Sequence, residues 1–405
     1  MAQLFFIQTS TADRVELATL VLDKLSDSDG ELLHVEKSAD GDNPHLAILF
    51  LSAGNRHQEE VEEVLNNMFT PIASKLDYRL LAETVNRQML SLESQEHSDY
   101  IITLMSDVFS VEQIFQLIQL LGDNDVSICA IENLSGVHPA NDDQQSTSLH
   151  VEFHVSCTQT SMEQVRRSLH NFSNDHLADV TIQAARNNNL PARLVVFDMD
   201  STLIDAEVID ELALEAGVGQ EVAAITESAM RGEIDFQKSF SARVALLEGL
   251  SAQVLQSVAD RLQFNPGAET LINRLKRLGF KTAIISGGFG FFAQHLKSLL
   301  GIDYIFANQL DIADGVVTGK VVGDVIDGVR KAQILREIAA KEGLDLQQVV
   351  AVGDGANDLP MLEIAGLGIA YKAKPVVRAR AKQSLSHNSL VAVLYILGHH
   401  EHELM

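Results

Sequence analysis

Through the first half of the chain, apolar residues fall into short strand-like runs separated by stretches of helical spacing, and the pattern occurs twice. Residues 4–8, 31–36, 45–51 and 78–84 read as strands, and 14–25 and 59–76 as helices, which predicts the order βαββαβ over residues 1–86. From position 99 the order repeats, with strands expected at 100–105, 126–133, 148–156 and 179–184 and helices at 111–121 and 162–173. The polar stretch 86–98 reads as a linker, and 136–147 as a loop inside the second unit.

The pattern changes after Asn187-Asn188-Asn189 and Pro191, a run of helix- and strand-breaking residues. Runs at 194–197, 282–285, 349–352 and 367–370 are continuously apolar, as strands buried on both faces must be. Helical spacing returns between them at 268–278, 290–300 and 331–342. This alternation predicts an α/β domain over residues 191–400 with a doubly wound parallel sheet. Residues 206–261 carry only helical patterning and are expected to form an inserted helical cap, to about residue 262. Asp314-Gly315 is a hairpin-turn signal within 310–322.

The 405 residues exceed one ordinary core and suit two or three domains. A formal net charge of −26 argues against nucleic acid and anionic membrane as partners. A phosphate ligand would need positive charge supplied locally, by a metal ion, a lysine or a helix N-terminus. Cys129 and Cys157 are the only cysteines, without metal-site spacing, and neither is expected in a disulfide. No run approaches the roughly 18 apolar residues of a membrane span. The short apolar run Leu4-Phe5-Phe6-Ile7 has no basic residue before it, so a cytoplasmic protein is expected.

Four features follow Pro191 in order, each at or just beyond the C-terminal end of an expected strand or, for the lysine, on the helix after the hairpin. Asp198-Met199-Asp200-Ser201-Thr202 places two carboxylates one residue apart, where one can attack phosphorus and the other exchange a proton. Taken alone it is equally an acidic turn or a helix cap. Ser286-Gly287-Gly288 offers a hydroxyl and backbone N–H groups at an expected helix N-terminus, or a plain turn. Lys331 offers a point charge, although most lysines are solvated surface. Gly353-Asp354-Gly355-Ala356-Asn357-Asp358 sets carboxylates at a strand end, where they suit Mg²⁺, a hard cation that prefers oxygen ligands.

In this order the four motifs resemble the haloacid dehalogenase superfamily, and within it the phosphoserine phosphatases over residues 192–395, including Glu207, Met230 to Phe236 and Arg243 in the cap. The resemblance implies Mg²⁺-dependent hydrolysis of O-phospho-L-serine, the last step of serine biosynthesis. It makes Asp198 the nucleophile and Asp200 the proton donor and acceptor. Mg²⁺ would be held by Asp198, the Asp200 carbonyl and Asp354. Ser286, Gly287, Lys331 and Asn357 would bind the phosphoryl group, supported by Gly288, and Asp358 would hold the lysine or a water of the metal. Superfamily members that keep the acyl phosphate, such as ion-pumping ATPases, have Thr where Asp200 stands here.

Arg243 would bind the substrate carboxylate and Glu207 its ammonium, with Met230 and Phe236 as apolar walls. The plainer readings are a surface ion pair, a first-turn helix charge and ordinary cap core. The two N-terminal units (1–86 and 99–186) are expected to be ferredoxin-like and resemble ACT domains. Their first loops, 9–13 and 106–110, lack glycine, which favours pairing into a homodimer over binding an amino acid. A phosphatase for another small phosphomonoester, and an amino-acid sensor, are the competing functions. The tail His399-His400-Glu401-His402 reads as solvated, and Asp324 and Asp327 as turn residues flanking the hairpin.

Overall fold

The computed structural model describes residues 2–9, 30–37, 46–53, 76–80, 98–106, 111–134, 149–157, 159–185 and 191–399. The helices expected over 14–25 and 59–76 lie outside these residues, apart from Leu76, as do most of 86–98, the loop 136–147, the loops 10–13 and 107–110 and the tail beyond His399. The chain divides into two compact units, Met1–Ala185 with Gly398–Met405, and Arg186–Leu397.

In the first unit, β1 (Ala2–Thr9), β2 (Gly30–Lys37), β3 (Leu46–Ala53) and β4 (Leu76–Leu80) form an antiparallel sheet in the order β2-β3-β1-β4. β4 begins two residues before the expected strand because Leu76 and Asp77 continue the ladder against Thr9 and Gln8. A second sheet uses the same permutation, β6-β7-β5-β8, from β5 (Tyr100–Ser106), β6 (Ser127–Asn133), β7 (Leu149–Ser156) and β8 (Asp179–Ala184). Between them run α1 (Val111–Asp123) and α2 (Gln159–His176). Ile114, Leu117, Ile118 and Leu121 recur on one face of α1 and pack with Val165 and Leu169 of α2 against Ile102, Leu104 and Phe153 of the sheet.

The second unit is built on β9 (Leu194–Phe197). Its Leu-Val-Val-Phe run is buried on both faces, as its lack of polar alternation required. The cap helices follow: α3 (Val208–Ala216), α4 (Gly219–Met230), α5 (Phe236–Ala245) and α6 (Gln253–Ala259). Then come α7 (Ala268–Arg277), β10 (Lys281–Phe289), α8 (Gly290–Leu300), β11 (Tyr304–Ala313), β12 (Val316–Val322), α9 (Gly328–Glu342), β13 (Val349–Gly353), α10 (Leu359–Ile364), β14 (Leu367–Tyr371), α11 (Pro375–Arg378), β15 (Gln383–Leu385) and α12 (Ala392–Ile396). The seven strands lie in the order β12-β11-β10-β9-β13-β14-β15. All neighbours are parallel except β11 and β12, whose hairpin turns at Asp314-Gly315, both at positive φ.

Chain order runs outward from β9 in both directions, so the connections on its two sides diverge and open a crevice at the C-terminal ends of β9 and β13. Phe197 is in register with Val352 of β13 and Ile284 of β10, which brings the residues after these strands together. The edge strand β12 is itself paired: Val317 N donates to Leu250 O (2.8 Å), and Gly249 N and Ala252 N donate to Val317 O and Gly315 O (2.8 and 2.9 Å). The cap is therefore helical with one extended segment, which fastens it to the hairpin. Among the described residues no helix is long and apolar enough to cross a membrane.

Gly368 in β14 lies against the carbonyl of Leu362, leaving no room for a Cβ. Gly368→Ala should therefore destabilise the second unit by about 1–3 kcal/mol, seen as a lower urea midpoint at unchanged slope. An unchanged midpoint would show that the two segments can separate freely.

Candidate active site

Asp198 continues the sheet by one hydrogen bond, its N–H donating to Val352 O (2.9 Å). The chain then turns back on itself, with Leu203 and Ile204 N–H groups both reaching Met199 O. The turn uses a left-handed Ser201 (φ 55°) and is clamped by buried Asn265, whose amide donates toward the carbonyls of Ser201, Thr202 and Ile204. Backbone strain of this kind persists only where its surroundings fix it. Here it fixes the Asp198 and Asp200 carboxyl groups at the mouth of the crevice.

Asp198 Oδ1 accepts from Met199 N (2.7 Å), and Oδ2 pairs with Lys331 Nζ at 2.7 Å. Lys331 lies one turn into α9, has no solvent exposure, and also reaches Asp358 Oδ1 at 2.6 Å. Burial works against its charge, yet the two carboxylates outweigh it and hold its pKa above the ordinary lysine value. Asp358 Oδ2 accepts from Gly355 N (2.9 Å), which closes the loop after β13. Carboxyl oxygens of Asp198, Asp354 and Asp358 lie within 4.8 Å of one another. That set of hard oxygen donors fits a divalent cation, and Asp354 and Asp198 retain capacity for one.

Asp200 Oδ1 accepts from Val208 N (3.0 Å), and Ser286 Oγ lies 3.4 Å from Oδ2. Burial, with Glu207 and Asp198 nearby, pushes the Asp200 carboxyl well above the usual carboxylate range and so favours its neutral form. Ser286, Gly287 and Gly288 do not stand at a helix N-terminus as the sequence suggested. They belong to β10, which runs on to Phe289 through a bulge in its pairing with β11. The helix begins only at Gly290, so the three residues face the crevice as extended backbone. A Cβ at Gly288 would strike Asp200 Oδ2 and Met199.

The crevice opens into a cleft of about 780 Å³ between core and cap, lined among others by Asp198, Asp354, Asn357, Glu207, Arg243 and Phe236. Glu207 is the N-cap of α3, but its side chain does not cap; it accepts from Ser201 Oγ at 2.9 Å. Arg243, in the last turn of α5, has no ion-pair partner among the described residues, and donates only to Thr226 Oγ1 at 3.5 Å. Phe236 stacks on Phe240, which meets Phe289 of the core. The Met230 side chain lies outside what is described. Asp327 is the N-cap of α9 rather than a hairpin residue, accepting from Arg330 N (2.9 Å) and from Gln237 of the cap (3.0 Å).

The sequence alone assigns no role to two supporting residues. Thr202 Oγ1 donates to Asp354 Oδ1 (3.0 Å), tying the loop after β9 to the loop after β13. Buried Asn308 donates to Gly287 O (2.8 Å) and accepts from Ile326 N (2.9 Å), holding the bulged end of β10. Polar residues interrupting apolar strands are the one hint of such roles, and Asn308 is one.

Comparison with known proteins agrees with this geometry. A model of the haloacid dehalogenase-like hydrolases matches residues 192–366. A phosphoserine phosphatase of Archaeoglobus fulgidus is 47% identical over 247 residues, 61% of this chain and 72% of its own length. One of Streptococcus thermophilus is 48% identical over 204 residues, covering 50% of this chain and 95% of its own length. A solved HAD family hydrolase of Salmonella enterica serovar Typhi is similar at TM-score 0.65 and 33% identity, over 74% of this chain and 98% of that one.

Burial, together with Asp198 and Glu207, pushes the Asp354 carboxyl up to about 7. Its folded pKa exceeds the unfolded value, so its contribution to stability is full below about pH 4 and is lost as pH rises through about 7. A bound cation reverses this preference by displacing the proton. Magnesium titrated into chelator-treated protein should release roughly one proton at about pH 6 and almost none at about pH 9. Calorimetry in buffers of different ionisation enthalpy measures the difference; equal release at both pH values would contradict it.

Proposed function

Because this chain belongs to the haloacid dehalogenase-like hydrolases and its curated relatives are phosphoserine phosphatases, we propose that it hydrolyses O-phospho-L-serine to serine and phosphate through an aspartyl phosphate on Asp198. The observation that carries the reading is the buried contact of Asp198 with Lys331 at 2.7 Å, beside Asp354, at the switch point of the sheet. A carboxyl group aimed into a cleft and flanked by a fixed cation is suited to attack a phosphorus whose oxygens that cation attracts.

Asp198 bonds to phosphorus as the serine oxygen leaves, and Asp200, protonated by its environment, supplies the proton that the leaving oxygen takes. Asp200, now ionised, accepts a proton from the water that attacks the aspartyl phosphate, releasing phosphate and restoring both carboxyl groups. Lys331, Ser286 and the Gly287 N–H bind the phosphoryl oxygens, with Asn357 at the cleft wall. Asp358 keeps Lys331 in place at 2.6 Å. Asp198, the Asp200 carbonyl and Asp354 would hold a divalent ion, read as Mg²⁺, which would supply positive charge to offset that of the phosphoryl group.

Substrate choice falls to the cap. Arg243 takes the α-carboxylate and Glu207 the ammonium, against an apolar wall that includes Phe236 and Met230. The division into 1–86, 99–186 and 191–400, with the cap at about 206–262, belongs to the same reading, as does a cytoplasmic location. The shared strand permutation of the two N-terminal sheets supports ACT-like units that pair two copies. A monomer in sedimentation velocity at micromolar concentration would count against that pairing.

Asp198→Asn removes the nucleophile while keeping its size. Phosphate release from phosphoserine should fall by at least about 10³-fold, with Mg²⁺ present, while the fold persists by circular dichroism. Turnover near the wild-type rate would end the proposal.

A further inference from the structure

The cleft side of α5 carries two buried polar groups without partners. Ser239 is 1% exposed and lines the cleft, yet its Oγ makes no hydrogen bond. Two helical hydroxyls elsewhere in this unit turn back onto the preceding turn: Thr226 donates to Val222 O (3.0 Å), and Ser298 to Gln294 O (2.9 Å). Ser239 does not, although its own N–H bonds Asp235 O (2.9 Å) in the usual way. Four residues on, Arg243 lines the same cleft, and its Nε is buried and equally unpartnered. Positions four apart on a helix share a face, and both side chains line the same cleft.

The surroundings of Arg243 show which part of it is committed. Its Nη1 lies 3.5 Å from Thr226 Oγ1, whose own proton goes to Val222 O, so Thr226 accepts from the guanidinium and steadies one edge. Among the donors still without an acceptor, Arg243 Nε and the Ser239 O–H are the buried ones. A buried donor without an acceptor is costly enough that native proteins rarely tolerate one, and two on one cleft wall imply an acceptor that comes with the ligand. A carboxylate, with two oxygens and four lone-pair positions, can serve both donors at once.

We propose that Ser239 is a specificity-determining contact, donating its hydroxyl proton to the substrate carboxylate that Arg243 holds. This rests on the phosphoserine reading above and deepens it, because it fixes how the amino-acid end is told from a simple phosphate ester. Glu207 is an acceptor only and cannot bind that carboxylate, which leaves it for the ammonium. Thr226 is then a positioning residue that acts through Arg243.

The test compares O-phosphoserine with O-phosphoethanolamine, which has the same phosphate and ammonium groups but no carboxylate. In Ser239→Ala, KM for phosphoserine should rise roughly tenfold, the scale of one hydrogen bond lost to an ionised group, with kcat nearly unchanged. Phosphoethanolamine kinetics should stay at wild-type values, which also reports that the variant is folded. Equal losses on both substrates would assign Ser239 to cap packing and overturn the proposal, as would no loss on either. Wild-type enzyme that shows no preference for phosphoserine would instead defeat the substrate reading itself, a result that needs no variant and is therefore distinguishable.

Discussion

An ammonium group with no access to water sits between two carboxylates, at 2.7 Å from Asp198 and 2.6 Å from Asp358, and the rest of the catalytic unit is arranged around that triad. Moving such a charge out of water costs several kcal/mol before any partner is counted. Lys331 is tolerated because a carboxyl oxygen lies within hydrogen-bond distance on each side, and each carboxyl group is itself held by a backbone donor, Met199 N on one and Gly355 N on the other. In a chain of net charge −26, this is also where the positive charge needed by a phosphate ester is stored. The cation is neutralised by its partners in the resting site, and it can be shared with phosphoryl oxygens when they arrive.

The division of the second unit into core and cap follows from this concentration of charge. Phosphate chemistry requires groups fixed to within fractions of an ångström, and those groups stand at the ends of β9, β10 and β13, cross-tied by Thr202 and Asn308. The cap contributes Glu207, Phe236 and Arg243 to the opposite side of the cleft. Contact between the halves runs through an aromatic series, Phe236 to Phe240 to Phe289, so the apolar wall of the cleft and the join between core and cap share residues.

The central strands were plain in the sequence because burial on both faces leaves an unbroken apolar run, as in Leu194 to Phe197. The Asp, Ser-Gly-Gly and Gly-Asp motifs were readable for a related reason, since each follows such a run, whereas Lys331 stood out only through its place in their order. The extension of β10 through Gly287 and Gly288 was not, because glycine reads as a breaker until neighbouring strands supply the pairing. β15, three residues long and ending a sheet, lacks enough positions to show a period. Thr202 finds its partner 152 residues away, and no local pattern encodes that distance. Asp327 looked like turn chemistry, and it is turn chemistry of another kind, a helix cap. Ser239 is an ordinary helical serine until its missing partner is seen.

The backbone pairing of β12 with residues 249–252 has a consequence for how this enzyme behaves in a crowded solution. An exposed terminal strand with bare N–H and C=O groups is a template on which other chains can polymerise. Here an inserted segment already occupies that rim through Gly249, Leu250 and Ala252, so the insertion that walls the cleft also shields the sheet from aggregation. Chimeras that exchange the cap for another specificity would have to keep those residues or accept a stickier protein.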